Sequence, residues 1–138
     1  MENIAVETSF SQPRLLLVDD DAGFRENIEE ILDRSSIQHV SKEGGADAIK
    51  ELIHNKKGFD CVLLDMHMGG ISGVDTARMI KKLKGALPIV MMGTGESLLM
   101  EITARTIGSN CHYIKKPFSE EELVDALRRS ISAPTGER

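Results

Sequence analysis

The chain has 138 residues, enough for one domain with a sizeable apolar core. Its formal net charge of −5 argues against a nucleic-acid-binding surface, which needs a basic patch. No apolar run approaches the roughly 20 residues that cross a bilayer, and residues Met1 to Gln12 lack the basic-then-apolar pattern of a secretion signal.

Strand-like and helix-like segments alternate along the chain. Arg14 to Asp19 reads as a strand, and Phe24 to Leu32 as a helix that places Phe24, Ile28, Ile31 and Leu32 on one face behind an Asp21 cap. Gln38 to Val40 is a short, polar strand suited to a sheet edge, followed by a helix over Ala46 to Ile53. Asp60 to Asp65 is the third strand, and Ser72 caps a helix carrying Val74, Ala77, Ile80 and Leu83 toward Gly85. Pro88 to Met92 is the fourth strand, and Ser97 to Ile107 a helix closed by Gly108. His112 to Lys115 is the fifth strand, after which Ser119-Glu120-Glu121-Glu122 forms a capping-box pattern opening a helix through Ile131. Cys61 and Cys111 fall in or beside strands and read as packed, reduced thiols. Five such units predict an α/β fold, a doubly wound five-stranded parallel sheet with helices on both faces and strand order 2-1-3-4-5.

Three of the strands end in charged groups. Leu15-Leu16-Leu17-Val18 runs into Asp19-Asp20, Cys61-Val62-Leu63-Leu64 into Asp65, and Tyr113-Ile114-Lys115 into Lys116-Pro117-Phe118. Ligands of open α/β sheets bind at the carboxyl ends of the strands, so three carboxylates and one amine would meet there and form a divalent-metal and phosphoryl site.

These motifs, with Asp65-Met66-His67-Met68-Gly69-Gly70-Ile71-Ser72-Gly73 after the third strand, make the chain similar to the response-regulator receiver domains of two-component signalling over Arg14 to Ile131. The resemblance implies a flavodoxin-like (βα)5 fold, with residues 1–13 an N-terminal extension and residues 132–138 a tail or the start of a linker. It implies that Asp65 accepts a phosphoryl group from the phosphohistidine of a sensor kinase or phosphotransfer protein. Asp20 and Asp65 would hold Mg²⁺ with the backbone carbonyl of His67, Asp19 would act through water, and Lys116 would pair with the phosphoryl oxygens. The Lys116–Pro117 peptide is expected to be cis, and the His67 side chain to point away. Asp21 is expected to serve as a helix cap at the pocket rim, and Lys115 as a solvated neighbour. On this resemblance the chain is a cytoplasmic signalling module with phosphotransfer and autophosphatase chemistry, not a metabolic enzyme. It would bind neither membrane nor nucleic acid directly. It is either a stand-alone receiver or a receiver cut from a longer regulator at Ala133-Pro134-Thr135-Gly136.

The chain departs from the family pattern in two places. Receivers carry a Thr or Ser hydroxyl at the end of the fourth strand, coupled to an aromatic residue at the position of Tyr113. Counting forward from Pro88 puts Gly93 there, whereas counting back from Lys116 puts Thr94 there. Thr94 is the expected switch residue, with Gly93 bulged out of the strand. The second departure is Gly69, where the family usually has Pro, a change that loosens the loop. The apolar residues Leu98, Leu99, Met100 and Ile102 are expected to form a face for a phosphorylation-dependent homodimer or another partner. Two other functions fit parts of the pattern. One is a degenerate receiver that only docks to proteins. The other is a haloacid dehalogenase-type phosphatase, with Asp19 as nucleophile and Asp21 as general acid, although neither its cap nor its later acidic pair is found in the sequence.

Overall fold

The computed structural model describes residues 12–132, so nearly all of the N-terminal extension, and the tail beyond Ser132, lie outside the described residues. Strands β1 (Arg14–Val18), β2 (Gln38–Lys42), β3 (Cys61–Asp65), β4 (Ile89–Gly93) and β5 (Cys111–Lys115) alternate with helices α1 (Ala22–Arg34), α2 (Gly45–His54), α3 (Gly73–Leu83), α4 (Ser97–Ile107) and α5 (Glu120–Ser132). The strands form one parallel sheet in the order β2-β1-β3-β4-β5. Among the described residues, no helix is long and apolar enough to cross a membrane.

The unbroken apolar runs of β1, β3 and β4 follow from their central places in the sheet. Successive side chains point to opposite faces, and here both faces are covered. Leu16, Val18, Val62, Leu64, Ile89 and Met91 pack against α2, α3 and α4 through Ala48, Leu52, Ala77, Ile80 and Ala104. The alternating set, Leu15, Leu17, Leu63, Val90 and Met92, packs against α1 and α5 through Ile28, Leu32, Leu123 and Leu127. The edge strands β2 and β5 are only half buried, which explains their polar sequences. Cys61 and Cys111 are free and buried, one in each layer. Burial pushes the Cys61 thiol up to about 12, so it stays protonated and packs as a small apolar group.

Helix starts are set by side chains that accept the first free backbone N–H groups. Asp21 accepts from Phe24 at 3.1 Å and Ser72 from Asp75 at 3.0 Å. Glu96, at the start of α4, accepts from Leu98 and Leu99, which lowers its pKa below the usual glutamate value. At α5 the box is reciprocal: Glu122 N–H donates to Ser119 Oγ, and Ser119 N–H donates to the Glu122 carboxylate. These caps fix where each chain segment leaves the sheet, and therefore where the strand-end groups meet.

Candidate functional site

Pairing of β1 with β3 sets Val18 beside Leu64, so the next residues, Asp19 and Asp65, emerge together at the carboxyl end of the sheet. Both are buried, at 0% and 4% exposure, whereas Asp20 is exposed. One carboxylate oxygen from each of the three lies within 4.8 Å of the others. Lys116 follows β5, its N–H donating to Gly93 O, and its Nζ lies 3.6 Å from Asp65 Oδ1 and 3.8 Å from Asp19 Oδ2. The Lys116–Pro117 peptide is cis. At the start of α3, Gly73 packs directly on the Asp65 carbonyl and on Met66. A side chain at Gly73 would collide with that backbone, so glycine lets the helix begin against the strand end.

Each acid is held by a backbone donor. Asp19 Oδ1 accepts from Asp21 N at 2.9 Å, Asp65 Oδ1 from His67 N at 3.1 Å, and Asp20 Oδ2 from Gly69 N at 3.0 Å. The last bond gives Gly69 a use that its sequence did not suggest. A proline there has no N–H to offer, so this chain gains a donor to Asp20 where the family pattern lacks one. Arg25 Nη1 donates to the Asp19 carbonyl at 2.7 Å, fixing the turn from below.

The second oxygen of Asp19 is different. It is buried and has no hydrogen-bond partner among the described residues. Burial, reinforced by the nearby Asp65 charge, raises the Asp19 pKa from 3.8 to about 6, against the opposing pull of the Asp21 N–H and Lys116. A buried carboxylate oxygen that accepts no hydrogen bond, facing two other carboxylates with only the Lys116 ammonium at 3.8 Å to offset them, is a group short of positive charge. Hard oxygen donors of this kind suit a Mg²⁺-sized divalent cation, and the site therefore fits one.

Other expected residues fall at the rim. The Asp21 side chain is engaged as the α1 cap and is exposed. His67 is exposed and its ring is outside the carboxylate group, and Lys115 is exposed. The bulge at Gly93 is not formed. The β4–β5 ladder runs in unbroken register from Ile89↔Cys111 to Gly93↔Lys115, with Met91 opposite Tyr113. Gly93 is thus the buried last residue of β4, and Thr94 is exposed one residue beyond it. A Cβ on Gly93 would lie 3.4 Å from Tyr113 Cε1 and 3.4 Å from its hydroxyl oxygen, and the tyrosine hydroxyl donates to Gly95 O at 2.9 Å. Leu98, Leu99 and Ile102 of α4 are 66%, 59% and 51% exposed. Met100 does not share that face: it is partly buried against the core, where it abuts Gly95.

Phe24 was legible in the sequence only as a core residue, yet its ring centroid lies 4.0 Å from Lys116 Nζ. No signal in the sequence joins the two, because they lie far apart along the chain and only the fold brings α1 against the turn after β5.

The site geometry agrees with what the chain resembles among known proteins. It is 34% identical over 120 residues to the transcriptional regulatory protein YrkP of Bacillus subtilis, covering 84% of this chain and 50% of that protein. It is 29% identical over 115 residues to the two-component response regulator ORR27 of rice, Oryza sativa subsp. japonica, covering 83% of this chain but 18% of that protein. The chain therefore spans half or less of the length of these relatives. Among solved structures, a response regulator from Chloroflexus aurantiacus superposes with a TM-score of 0.80 at 26% identity, covering 88% of this chain and 99% of that one. The family described as the response regulator receiver domain matches residues 15–128, and the chain belongs to that family.

Proposed function

We propose that this receiver domain is a phosphoacceptor switch in which Asp65 takes a phosphoryl group from the phosphohistidine of a sensor kinase or phosphotransfer protein. The observation that carries the reading is the buried Asp65 carboxylate, held by the His67 N–H, with the Lys116 ammonium 3.6 Å away and two further carboxylates in reach. An Asp65 oxygen attacks phosphorus, the new P–O bond forms as the P–N bond of the phosphohistidine breaks, and the leaving imidazole takes its proton from solvent. Asp20 and Asp65 would hold Mg²⁺ with the His67 carbonyl, and Asp19 would hold it through water. The bound cation neutralises charge between Asp65 and the incoming phosphoryl oxygens. Lys116, which makes no hydrogen bond shorter than 3.6 Å to either acid, is free to turn to those oxygens. Hydrolysis of the acyl phosphate returns the domain to its starting state.

The readout of this switch is proposed to depart from the family pattern. Gly93, not Thr94, stands at the strand end facing Tyr113, so no hydroxyl at that position follows the phosphoryl group. The Tyr113 ring already lies over the strand end, tied to Gly95. The exposed Leu98, Leu99 and Ile102 of α4 are then a partner or homodimer face whose dependence on phosphorylation is weaker than usual. Asp21 is already committed to capping α1, which leaves the dehalogenase-type reading without its general acid. A cytoplasmic location follows from partnership with a histidine kinase.

The test is intact mass after incubation with acetyl phosphate and Mg²⁺, with Asp65→Asn in parallel. Gain of one phosphoryl group by the parent, absent from the variant and blocked by EDTA, supports the switch. No gain by a folded parent overturns it and leaves the domain as a docking module.

A further inference from the structure

We infer that Phe24 is a positioning residue for the Lys116 ammonium, a role that rests on the phosphoacceptor reading above. The carboxylate oxygens nearest to Nζ stand at 3.6 and 3.8 Å, beyond the length of a charge-assisted hydrogen bond. The Phe24 centroid is 4.0 Å from the same nitrogen, well inside the range in which an aromatic face attracts a cation. Lys116 is only 19% exposed, so this attraction acts on a partly dehydrated charge.

Phe24 is held through both its backbone and its ring. The Phe24 N–H donates to Asp21, which sets the first turn of α1. The ring also packs on Phe118, two residues beyond Lys116, with centroids 5.9 Å apart and planes at 79°, the edge-to-face arrangement that aromatic pairs prefer. Phe24 thus joins the start of α1 to the turn that carries the lysine. A neutral ring suits this task chemically. It takes no proton from the ammonium and adds no charge that would compete with the carboxylates, yet it limits where Nζ can go. All three N–H bonds remain available to the arriving phosphoryl oxygens.

The experiment compares the parent with Phe24→Leu and Phe24→Tyr by NMR of the metal-free full chain and by the rate of phosphoryl uptake from acetyl phosphate. Protons on the Lys116 side chain should be shifted upfield by the ring in the parent and in Phe24→Tyr, and this shift should disappear in Phe24→Leu. Uptake should fall about two- to ten-fold in Phe24→Leu, the loss of a partly buried cation–π contact, and stay near the parent rate in Phe24→Tyr. A Phe24→Leu protein that keeps the shift, or loses it without slowing, overturns the proposal, as does a Phe24→Tyr protein that behaves like Phe24→Leu. Phe24→Met supplies the same comparison if the leucine variant does not fold. If the parent takes up no phosphoryl group, the phosphoacceptor reading has failed, while the Lys116 shift still decides whether Phe24 positions the lysine.

Discussion

Replacing Asp19 by Asn should strengthen the metal-free fold at neutral pH, although it removes a residue from the heart of the site. Asp19 is fully buried, and its pKa is raised from 3.8 to about 6 by that burial and by the Asp65 charge. The folded protein therefore holds the Asp19 proton more tightly than the unfolded chain does. This stabilisation is complete below pH 3.8 and is lost as pH rises through about 6, leaving a buried anion that the fold must tolerate. Each unit of pKa difference corresponds to about 1.4 kcal/mol, so the ionised group weakens the fold at pH 7.5 by on the order of 3 kcal/mol. Asparagine resembles the protonated acid. Its oxygen can keep the bond from Asp21 N, and its amide replaces Oδ2, which accepts no hydrogen bond, with a donor beside Asp65. Urea unfolding in EDTA, followed by circular dichroism, should show a gain of about 1 to 3 kcal/mol at pH 7.5 that shrinks to a few tenths at pH 4. Addition of Mg²⁺ should stabilise the parent more than the variant, since the variant has lost a carboxylate that would support the cation in the proposed site. A variant weaker than the parent at pH 7.5, or one whose gain persists at pH 4, would refute the electrostatic account of the site.

Three further outcomes are expected. Gly93→Ser places a hydroxyl where the family carries one, with its Cβ 3.4 Å from the Tyr113 ring. Tyr113 is the chain's single tyrosine, and there is no tryptophan, so intrinsic fluorescence reports it alone. Phosphorylation should change that signal more in Gly93→Ser than in the parent, and equal responses would contradict the assignment of Gly93 to the switch position. Glu96 caps α4 as an anion with a lowered pKa, so its contribution is complete above about pH 4.5 and lost as pH falls below; Glu96→Gln should flatten the loss of thermal stability between pH 6 and pH 3.5. Leu63 is fully buried in β3 between α1 and α5, and Leu63→Ala should cost about 3 to 4 kcal/mol in urea unfolding, against well under 1 kcal/mol for exposed Leu98→Ala.

How far the sequence could be read depended on whether a residue's role was local. The apolar runs of β1, β3 and β4 declared themselves because burial on both faces removes the alternation that an exposed face would impose. The capping residues Asp21, Ser72 and Ser119 were legible because each acts on an amide three residues away. The strand-end acids were legible for a related reason: an apolar run that stops at a carboxylate marks both the end of a strand and the group delivered there. Met100 was misread because α4 carries apolar residues on more than one side, and spacing alone does not say which side faces the sheet.

Gly93 and Thr94 show where local reading ends. Counting forward from Pro88 and backward from Lys116 differ by one residue, and both counts are sound along the chain. Only the ladder decides between them, because a parallel strand pairs in register or carries a bulge. With Gly93 opposite Lys115 and no bulge, the surplus residue belongs to the turn between α4 and β5. The difference is chemical as well as geometric. One register supplies a hydroxyl at the strand end; the other supplies only a hydrogen and leaves that space to the Tyr113 ring. In the proposed function, phosphoryl capture would use Asp65, Lys116 and the acids that follow β1, none of which depends on that register. A chain can therefore retain the capture chemistry while its coupling to α4 changes, and the two properties must be measured separately.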